Sequence, residues 1–280
     1  MLSSEDFRRE TLRAIEQARA LPRPELGNDF LIISSYEALP AARVLYVGAL
    51  SAGARAALLH PTEASVLLMP YRETPKVIVY ALSSKDGRAV RAAEEAALLG
   101  AEVYFVSPRL HESLESRLTR YEGLKRVEVP GAAPLMTMVI ASALWSPRPQ
   151  GSRGPRLESE LRAVDDAPKW ILENFSSQAA EVSSLSEFAA FYTPSVEAGA
   201  RYLCGASSSC EGAFPLDGLG ARRFKAAVIL ETTSEAHDYR DVEMSVGPGI
   251  KAVRVLINTD PITAGLYSVM FGALAAGRVI

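Results

Sequence analysis

Long runs of charge of one sign and long apolar runs are both missing from this chain of 280 residues. Its 30 lysines and arginines nearly balance 33 aspartates and glutamates, and the formal net charge is -3. Without a basic block that could follow a phosphate backbone, we expect no nucleic-acid partner. The longest charge-free apolar stretches, residues 132–145 and 261–277, are short for a membrane span. We therefore expect no membrane partner either.

Cysteine and histidine are also scarce. Cys204 and Cys210 are the only cysteines, which excludes a disulfide framework and a cysteine-based zinc site and predicts two free, buried thiols. His60, His111 and His237 are too far apart in sequence to form a pair with metal-ligand spacing. The first residues carry charges where a signal peptide needs an apolar core. We therefore expect a cytoplasmic protein without a metal or another cofactor.

Glycine-rich nucleotide loops are absent as well. The segment Gly48-Ala-Leu-Ser-Ala-Gly53 is followed by an alanine, where a phosphate-binding loop needs a lysine. No Gly-x-Gly-x-x-Gly follows an apolar run. Nucleotide chemistry is therefore not indicated.

Short apolar runs alternate with helix-like segments in the first half of the chain. Strands are predicted at residues 43–49, 76–82, 102–107 and 125–130, and helices at 5–20, 86–99, 110–121 and 133–145. Strands that are apolar on both faces and separated by helices indicate a parallel sheet covered on both sides. The predicted fold class is therefore α/β.

The segment at residues 146–155 contains three prolines and two glycines and is the best linker in the chain. We therefore predict one domain over residues 1–150 and a second over residues 151–280. In the second half, strands are predicted at 201–206, 226–231 and 251–258, and helices at 156–175, 180–191, 208–220 and 262–276. This order indicates a weaker repeat of the first half.

Two of the predicted strands are followed by small, hydroxyl-rich turns. The first turn contains Gly48, Ser51 and Gly53, and the second, which leads into a helix, contains Ser83, Ser84 and Lys85. Ligands of open α/β sheets bind at the carboxyl ends of the strands, and hydroxyls beside the N–H groups of a helix start can hold a phosphate monoester. Serine and aspartate are also the ordinary capping residues of helices. Both interpretations stay open.

Residues 43–53 and 77–87, with the alanine-rich helix and the strand that follow them, resemble the start of a sugar isomerase (SIS) domain. The resemblance covers about residues 40–145. It implies two SIS-like, flavodoxin-type three-layer domains with parallel sheets, the second one reduced. It also implies a sugar phosphate as ligand and a homodimer. The segment Ser234-Glu-Ala-His237 is most similar to archaeal bifunctional phosphoglucose/phosphomannose isomerases.

That similarity implies that His237 opens the sugar ring, and Glu235 or Asp217 is then the base that moves the proton. The alternative is that Glu235 and His237 only begin a helix. The chain departs from the family pattern at Ala81 and Asp86, in the phosphate turn, and at Leu135, where the isomerases have an arginine.

Two hypotheses follow. The first is an intramolecular oxidoreductase that converts glucose or mannose 6-phosphate to fructose 6-phosphate by metal-free proton transfer. The second is a non-catalytic module that binds or senses a sugar phosphate.

Overall fold

The computed structural model describes residues 2–221, 223–235, 246 and 249–280, and its first sheet has five parallel strands. These are β1 Asp29–Ser34, β2 Arg55–Leu59, β3 Lys76–Tyr80, β4 Glu102–Ser107 and β5 Leu124–Glu128. Neighbouring strands follow the order β2-β1-β3-β4-β5, and Leu31 of β1, for example, lies opposite Val77 of β3. The chain therefore crosses from the edge strand β2 over β1 to reach β3.

Helices cover both faces of this sheet. The helices in this half of the chain are α1 Ser4–Ala20, α2 Leu39–Ser51, α3 Pro61–Glu63, α4 Gly87–Leu98, α5 Glu112–Leu118 and α6 Pro134–Trp145. On one face, Ile33 and Val79 pack in a single cluster with the buried alanines of α4. On the other face, the hydroxyl groups of Tyr80 and Ser142 of α6 share a hydrogen bond of 2.8 Å. Burial raises the pKa of the Tyr80 hydroxyl. The predicted α/β fold with a covered parallel sheet is confirmed.

The second sheet has four parallel strands among the described residues. In chain order the elements are α7 Arg153–Arg162, α8 Ala167–Ser183, β6 Phe188–Tyr192, α9 Glu197–Ala206, β7 Cys210–Pro215, β8 Ala226–Thr232, β9 Lys251–Ile257 and α10 Pro261–Ala276. The strand order is β7-β6-β8-β9, which repeats the first four positions of the other sheet. Helices α9 and α10 pack so closely that a Cβ atom on Gly199 would lie 2.3 Å from the side chain of Ser268.

Contacts divide the chain into two compact units, Ala14–Gly154 and Met1–Arg13 together with Pro155–Ile280. The sequence-based division at residue 150 differs from this one mainly because it assigns the first 13 residues to the first half. No described helix is both long and apolar enough to cross a membrane. Within the described residues, no three His, Cys, Asp or Glu side chains are grouped as metal ligands would be.

Two predicted strands are wrong, and both lie in helices. Residues 43–49 belong to α2, and residues 201–206 belong to α9. A short apolar run is equally compatible with a strand and with a helix that is buried on most sides, and periodicity does not separate them. The true strands in these places are the preceding runs at Asp29–Ser34 and Phe188–Tyr192.

The predicted helices at 180–191 and 208–220 are also wrong in large part. The first begins in α8 but ends in β6, and the second contains β7 and a short 3-10 turn, Leu216–Ala221. The strand β2 was not predicted, because its sequence Arg55-Ala-Ala-Leu-Leu has no β-branched residue. The predicted helix at 156–175 is two helices, α7 and α8, which are separated by a short 3-10 turn, Val164–Asp166. The remaining predicted strands and helices are confirmed within a few residues at their ends.

The two cysteines are bonded to each other, so the prediction of two free thiols is wrong. Cys204 lies near the end of α9 and Cys210 is the first residue of β7, and their Cα atoms are 4.9 Å apart. The chain reverses between them through three serines. This reversal places the two side chains opposite each other, which the linear spacing did not show.

Candidate functional site

The strand order changes direction at β1, which lies between β2 and β3. The connections that leave β1 and β3 therefore depart to different sides, and a crevice opens at the carboxyl ends of these strands. In flavodoxin-type sheets this crevice is the usual ligand site. The same argument applies to β6 and β8 of the second sheet.

A cleft of about 420 Å³ lies at the carboxyl ends of β1, β2 and β3. Its lining is polar or charged at almost every position and consists of Ser35, Tyr36, Glu37, His60, Ser83, Lys85, Asp86, Gly87 and Arg88. The volume falls in the range of small-molecule sites. Of the predicted binding residues, Ser83 and Lys85 line this cleft.

The end of β1 contributes two serines with different environments. Ser34 is buried, and its hydroxyl donates a hydrogen bond to the backbone oxygen of Ser35 at 2.9 Å. The backbone N–H of Ser35 donates to the backbone oxygen of Tyr80 on β3 at 3.2 Å. The Ser35 hydroxyl oxygen is buried as well, but it has no hydrogen-bond partner. A buried hydroxyl without a partner is uncommon and needs an explanation.

The turn after β3 leads directly into α4. The Ser83 hydroxyl accepts a hydrogen bond from the backbone N–H of Lys85 at 3.2 Å. Asp86 is the capping residue of α4, because its Oδ1 accepts a hydrogen bond from the backbone N–H of Ala89 at 3.0 Å. The capping interpretation therefore holds for Asp86, and this carboxylate oxygen is turned toward its own helix.

Two cations lie at the mouth of the cleft. Lys85 and Arg88 are exposed, and neither forms an ion pair within the described part of the chain. Arg91, one turn further along α4, differs from them because its Nε lies 2.7 Å from Glu95. Two unpaired cations close to a helix N-terminus create a positive potential that favours an anion.

An aromatic pair forms one wall of the cleft. The rings of Tyr36 and His60 are stacked, with their centroids 4.7 Å apart. His60 caps α3, and its Nδ1 accepts a hydrogen bond from the backbone N–H of Thr62 at 3.4 Å. Because Nδ1 accepts this bond, Nε2 is the ring nitrogen that carries the hydrogen. Tyr36 is 74% exposed, so the outer part of its ring is open to a ligand.

Gly48, Ser51 and Gly53 do not lie at this cleft. They occupy the end of α2 and the turn before β2. Because β1 and β2 are parallel, α2 runs back along the sheet, and its last residues reach the amino ends of the strands. The structure therefore separates them from Ser83, Ser84 and Lys85. The premise that their turn follows a strand is wrong.

Gly48 has a packing role that explains the glycine. A Cβ atom at this position would lie 2.3 Å from the hydroxyl oxygen of Ser146, which follows α6. Gly53 has a φ of 76°, a backbone conformation that glycine adopts without strain.

Sequence reasoning missed several residues of the cleft, among them Ser35, Tyr36, Glu37, His60 and Arg88. The available signal was the pair Ser34-Ser35 at the end of the apolar run that forms β1. Ala81 and Leu135, the other departures from the family pattern, are both buried, and Leu135 lies in the first turn of α6. Both positions are filled by apolar packing.

The proposed catalytic residues belong to the second sheet. Glu235 follows β8, and its carboxylate accepts hydrogen bonds from Thr193, Ser195 and Thr232. Asp217 is exposed in the turn after β7. His237 lies outside the described residues. The structure therefore places Glu235 and Asp217 after two parallel strands of one sheet, β8 and β7, which are separated by β6.

No protein-family model matches this chain, and no curated protein matches it. Solved structures do match over nearly the whole chain, at 12% identity. The C-terminal domain of glucosamine-fructose-6-phosphate aminotransferase from Francisella tularensis has a TM-score of 0.67, with 98% of this chain and 95% of that chain covered. Glucosamine-6-phosphate deaminase from Thermotoga maritima has a TM-score of 0.65, with 98% and 92% covered.

Tagatose-6-phosphate ketose/aldose isomerase from Escherichia coli has a TM-score of 0.63, with 98% and 92% covered. At this identity, the likeness concerns the fold alone. It confirms the SIS-like, two-sheet α/β architecture that the resemblance implied. The narrower similarity to archaeal bifunctional isomerases stays a prediction.

Proposed function

We propose that this protein binds a sugar phosphate in the cleft at the carboxyl ends of β1 and β3. The observation that carries the proposal is the Ser35 hydroxyl, which is buried at the cleft without a hydrogen-bond partner. A phosphate oxygen would give this hydroxyl the acceptor that it lacks. The names of the matched structures support the choice of ligand class, because each of the three refers to a sugar 6-phosphate.

The phosphate group would bind between the Ser35 and Ser83 hydroxyls, above the start of α4. Lys85 and Arg88 have no ion-pair partner among the described residues and would compensate the charge of the dianion. Asp86 is an acidic residue beside the proposed phosphate, but its capping bond turns one of its oxygens toward Ala89, which reduces the repulsion. The positive end of the helix dipole favours the same anion.

The sugar would extend toward the aromatic wall. The exposed ring of Tyr36 offers an apolar face, and the stacked His60 fixes its orientation. Nε2 of His60 is available as a hydrogen-bond donor in the tautomer that its capping bond selects. Hydroxyl groups of a sugar are suitable acceptors for this donor.

Isothermal titration calorimetry with glucose 6-phosphate, fructose 6-phosphate, inorganic phosphate and free glucose tests this proposal. We expect both hexose phosphates to bind more tightly than inorganic phosphate and free glucose to show no heat, since the phosphate supplies most of the charged contacts. Absence of binding by both hexose phosphates, in protein that is folded by circular dichroism, would refute the proposal.

The finer proposal is catalytic: the protein interconverts aldose and ketose forms of hexose 6-phosphates. Ring opening needs an acid and a base, and the proton must then move between C1 and C2. His237 is the proposed ring-opening residue, and Glu235 or Asp217 is the proposed base. The sequence resemblance supports these roles. The four hydrogen bonds that Glu235 accepts favour the non-catalytic alternative, because they hold its carboxylate on donors of the chain itself.

A coupled assay for glucose 6-phosphate formed from fructose 6-phosphate separates the two possibilities. If the protein is an isomerase, His237→Ala slows the reaction by at least about 100-fold. Binding of sugar phosphate without turnover in the wild type would leave the binding module as the function.

A further inference from the structure

The second sheet has its own crevice, between the ends of β6 and β8. The order β7-β6-β8-β9 places these strands as β1 and β3 are placed in the other sheet. Thr193 directly follows β6, and Thr232 is the last residue of β8. Both threonines are buried, with 3% and 0% of their surface exposed. The hydroxyl groups of Thr193 and Thr232 therefore lie at the crevice of the second sheet, as serine hydroxyls lie at the cleft of the first.

A carboxylate of the chain itself occupies this crevice. Oε2 of Glu235 accepts hydrogen bonds from the hydroxyls of Thr193 at 2.5 Å and Thr232 at 2.7 Å. Oε1 accepts hydrogen bonds from the backbone N–H of Ser195 at 3.3 Å and from its hydroxyl at 3.1 Å. Four donors thus surround one anionic group. No lysine or arginine pairs with Glu235 in the part of the chain that the structure describes.

This arrangement is an oxyanion site built from neutral donors. Hydroxyl and backbone N–H groups at the end of a strand are the donors that also bind phosphate in α/β proteins. The buried Thr193 hydroxyl would lose its acceptor if the carboxylate were removed, whereas the Thr232 hydroxyl would keep the Ser234 hydroxyl as a partner at 2.9 Å. The four donors therefore favour an acceptor at this place, and Glu235 supplies it at a high effective concentration because it is only three residues from Thr232.

In the first cleft, by contrast, the acidic side chain does not bind the hydroxyl groups at the strand ends. There the acidic residue of the corresponding turn, Asp86, directs an oxygen to its own helix, and the Ser35 hydroxyl stays unpartnered. The cleft of the first sheet is thus open, whereas the Glu235 carboxylate occupies the crevice of the second sheet.

We propose that the crevice between β6 and β8 is a second binding site for a tetrahedral oxyanion such as a phosphate group, closed by the Glu235 carboxylate as its built-in occupant. A phosphate group enters only when this carboxylate leaves. The proposal does not rest on sugar phosphate binding at the first cleft, since it concerns different residues on a different sheet.

The test compares full-length wild type with Glu235→Ala and Glu235→Gln. Glu173→Ala, on the exposed side of α8, is the control for the loss of one negative charge. Calorimetry and phosphorus NMR measure the binding of inorganic phosphate at constant ionic strength. Thermal unfolding is followed in phosphate, acetate and chloride. Acetate corresponds to the part of the side chain that Glu235→Ala deletes. Its binding shows whether the four donors around Glu235 keep their arrangement in the variant.

We expect Glu235→Ala to bind one more phosphate per chain than the wild type and to be stabilised by both phosphate and acetate. Glu235→Gln keeps the shape but loses the charge, so we expect it to bind phosphate at this site at least tenfold more tightly than the wild type does. The wild type and Glu173→Ala should show neither gain.

If acetate but not phosphate stabilises Glu235→Ala against thermal unfolding, the proposal is overturned, because the four donors would then accept a carboxylate but not a tetrahedral anion. An unchanged phosphate stoichiometry in folded Glu235→Ala would overturn it too. If Glu235→Ala does not fold, the phosphate affinity of Glu235→Gln tests the proposal instead. An affinity equal to that of the wild type overturns it. Binding at the first cleft, present or absent, contributes equally to all four proteins.

Discussion

Ser34 and Ser35 are adjacent at the end of β1, and the hydroxyl of Ser34 donates to the backbone oxygen of Ser35 at 2.9 Å while the Ser35 hydroxyl is buried without a partner. The first hydroxyl thus stabilises the fold, whereas the second is available for a ligand. This difference between neighbours separates stability from binding experimentally.

Ser35→Ala should weaken glucose 6-phosphate binding about tenfold or more, because a hydrogen bond to a charged group contributes about 1.5–3 kcal/mol. Its free energy of unfolding should be unchanged or higher by up to about 1 kcal/mol, since no internal bond is lost. Calorimetry and urea unfolding measure the two quantities. Ser34→Ala is the matched control and should lose stability but not affinity. The reverse result for the pair would contradict the assignment.

Asp86 has two opposing effects, which two substitutions separate. Asp86→Ala should lower the free energy of unfolding by about 1 kcal/mol, because the cap of α4 is lost. Asp86→Asn keeps an oxygen that accepts from Ala89 and should unfold almost as the wild type does. Both changes remove a negative charge near the phosphate and should increase affinity. A loss of affinity in Asp86→Asn would mean that the carboxylate contacts the sugar.

The cations at the cleft should affect binding and its salt dependence. The double variant Lys85→Ala and Arg88→Ala should bind glucose 6-phosphate more weakly and with a smaller decrease of affinity on adding salt, because two attractive charges are gone. Titrations at several salt concentrations measure this change. Arg91→Ala is the control on the same helix, since Arg91 already pairs with Glu95. Equal effects of the two variants would exclude a specific role for Lys85 and Arg88.

Gly48 should be essential for packing rather than for binding. Gly48→Ala places a Cβ atom 2.3 Å from the Ser146 hydroxyl oxygen, and overpacking of this kind costs about 1–3 kcal/mol. Adding Ser146→Gly removes the obstructing side chain and should restore most of the stability. Urea unfolding of the two single variants and the double variant measures the coupling. Weaker sugar-phosphate binding at unchanged stability would instead support the sequence-based role of Gly48 as a ligand residue.

The disulfide should stabilise the second unit. Replacing both Cys204 and Cys210 by serine should lower the free energy of unfolding by about 2 kcal/mol, as the closure of a loop this short implies. Dithiothreitol should destabilise the wild type by a similar amount and leave the serine variant unchanged. A thiol titration checks the premise: two reactive thiols per chain in the native, unreduced protein would contradict it.

Several elements could be predicted from the sequence because their signal is local. The runs at Lys76–Tyr80 and Glu102–Ser107 are β-branched or aromatic, and the helix between them begins with a capping aspartate and ends before a glycine. The apolar run in α2 was misassigned because a helix that is buried on most sides has no polar stripe to reveal its period.

The same wrong strand is the premise for three of the six predicted binding residues. Once residues 43–49 were assigned to a strand, the turn that follows them was placed at the carboxyl edge, and Gly48, Ser51 and Gly53 became ligand candidates. The strand that does end at the cleft, Asp29–Ser34, begins after a proline-containing segment and was not recognised. The position of Ser83, Ser84 and Lys85 after β3 is predicted correctly, because the strand Lys76–Tyr80 itself is predicted correctly.

The sequence by itself determined the α/β class, the parallel strands and the turn that caps α4, since each depends on residues close together in the chain. The tertiary structure alone decided which turns meet. The parallel order β2-β1-β3 brings Ser35, His60 and Lys85 to one cleft from separate strand ends, and the order β6-β8 brings Thr193 to Glu235. Such meetings are set by strand order, because residues far apart in the chain become neighbours only when the sheet forms.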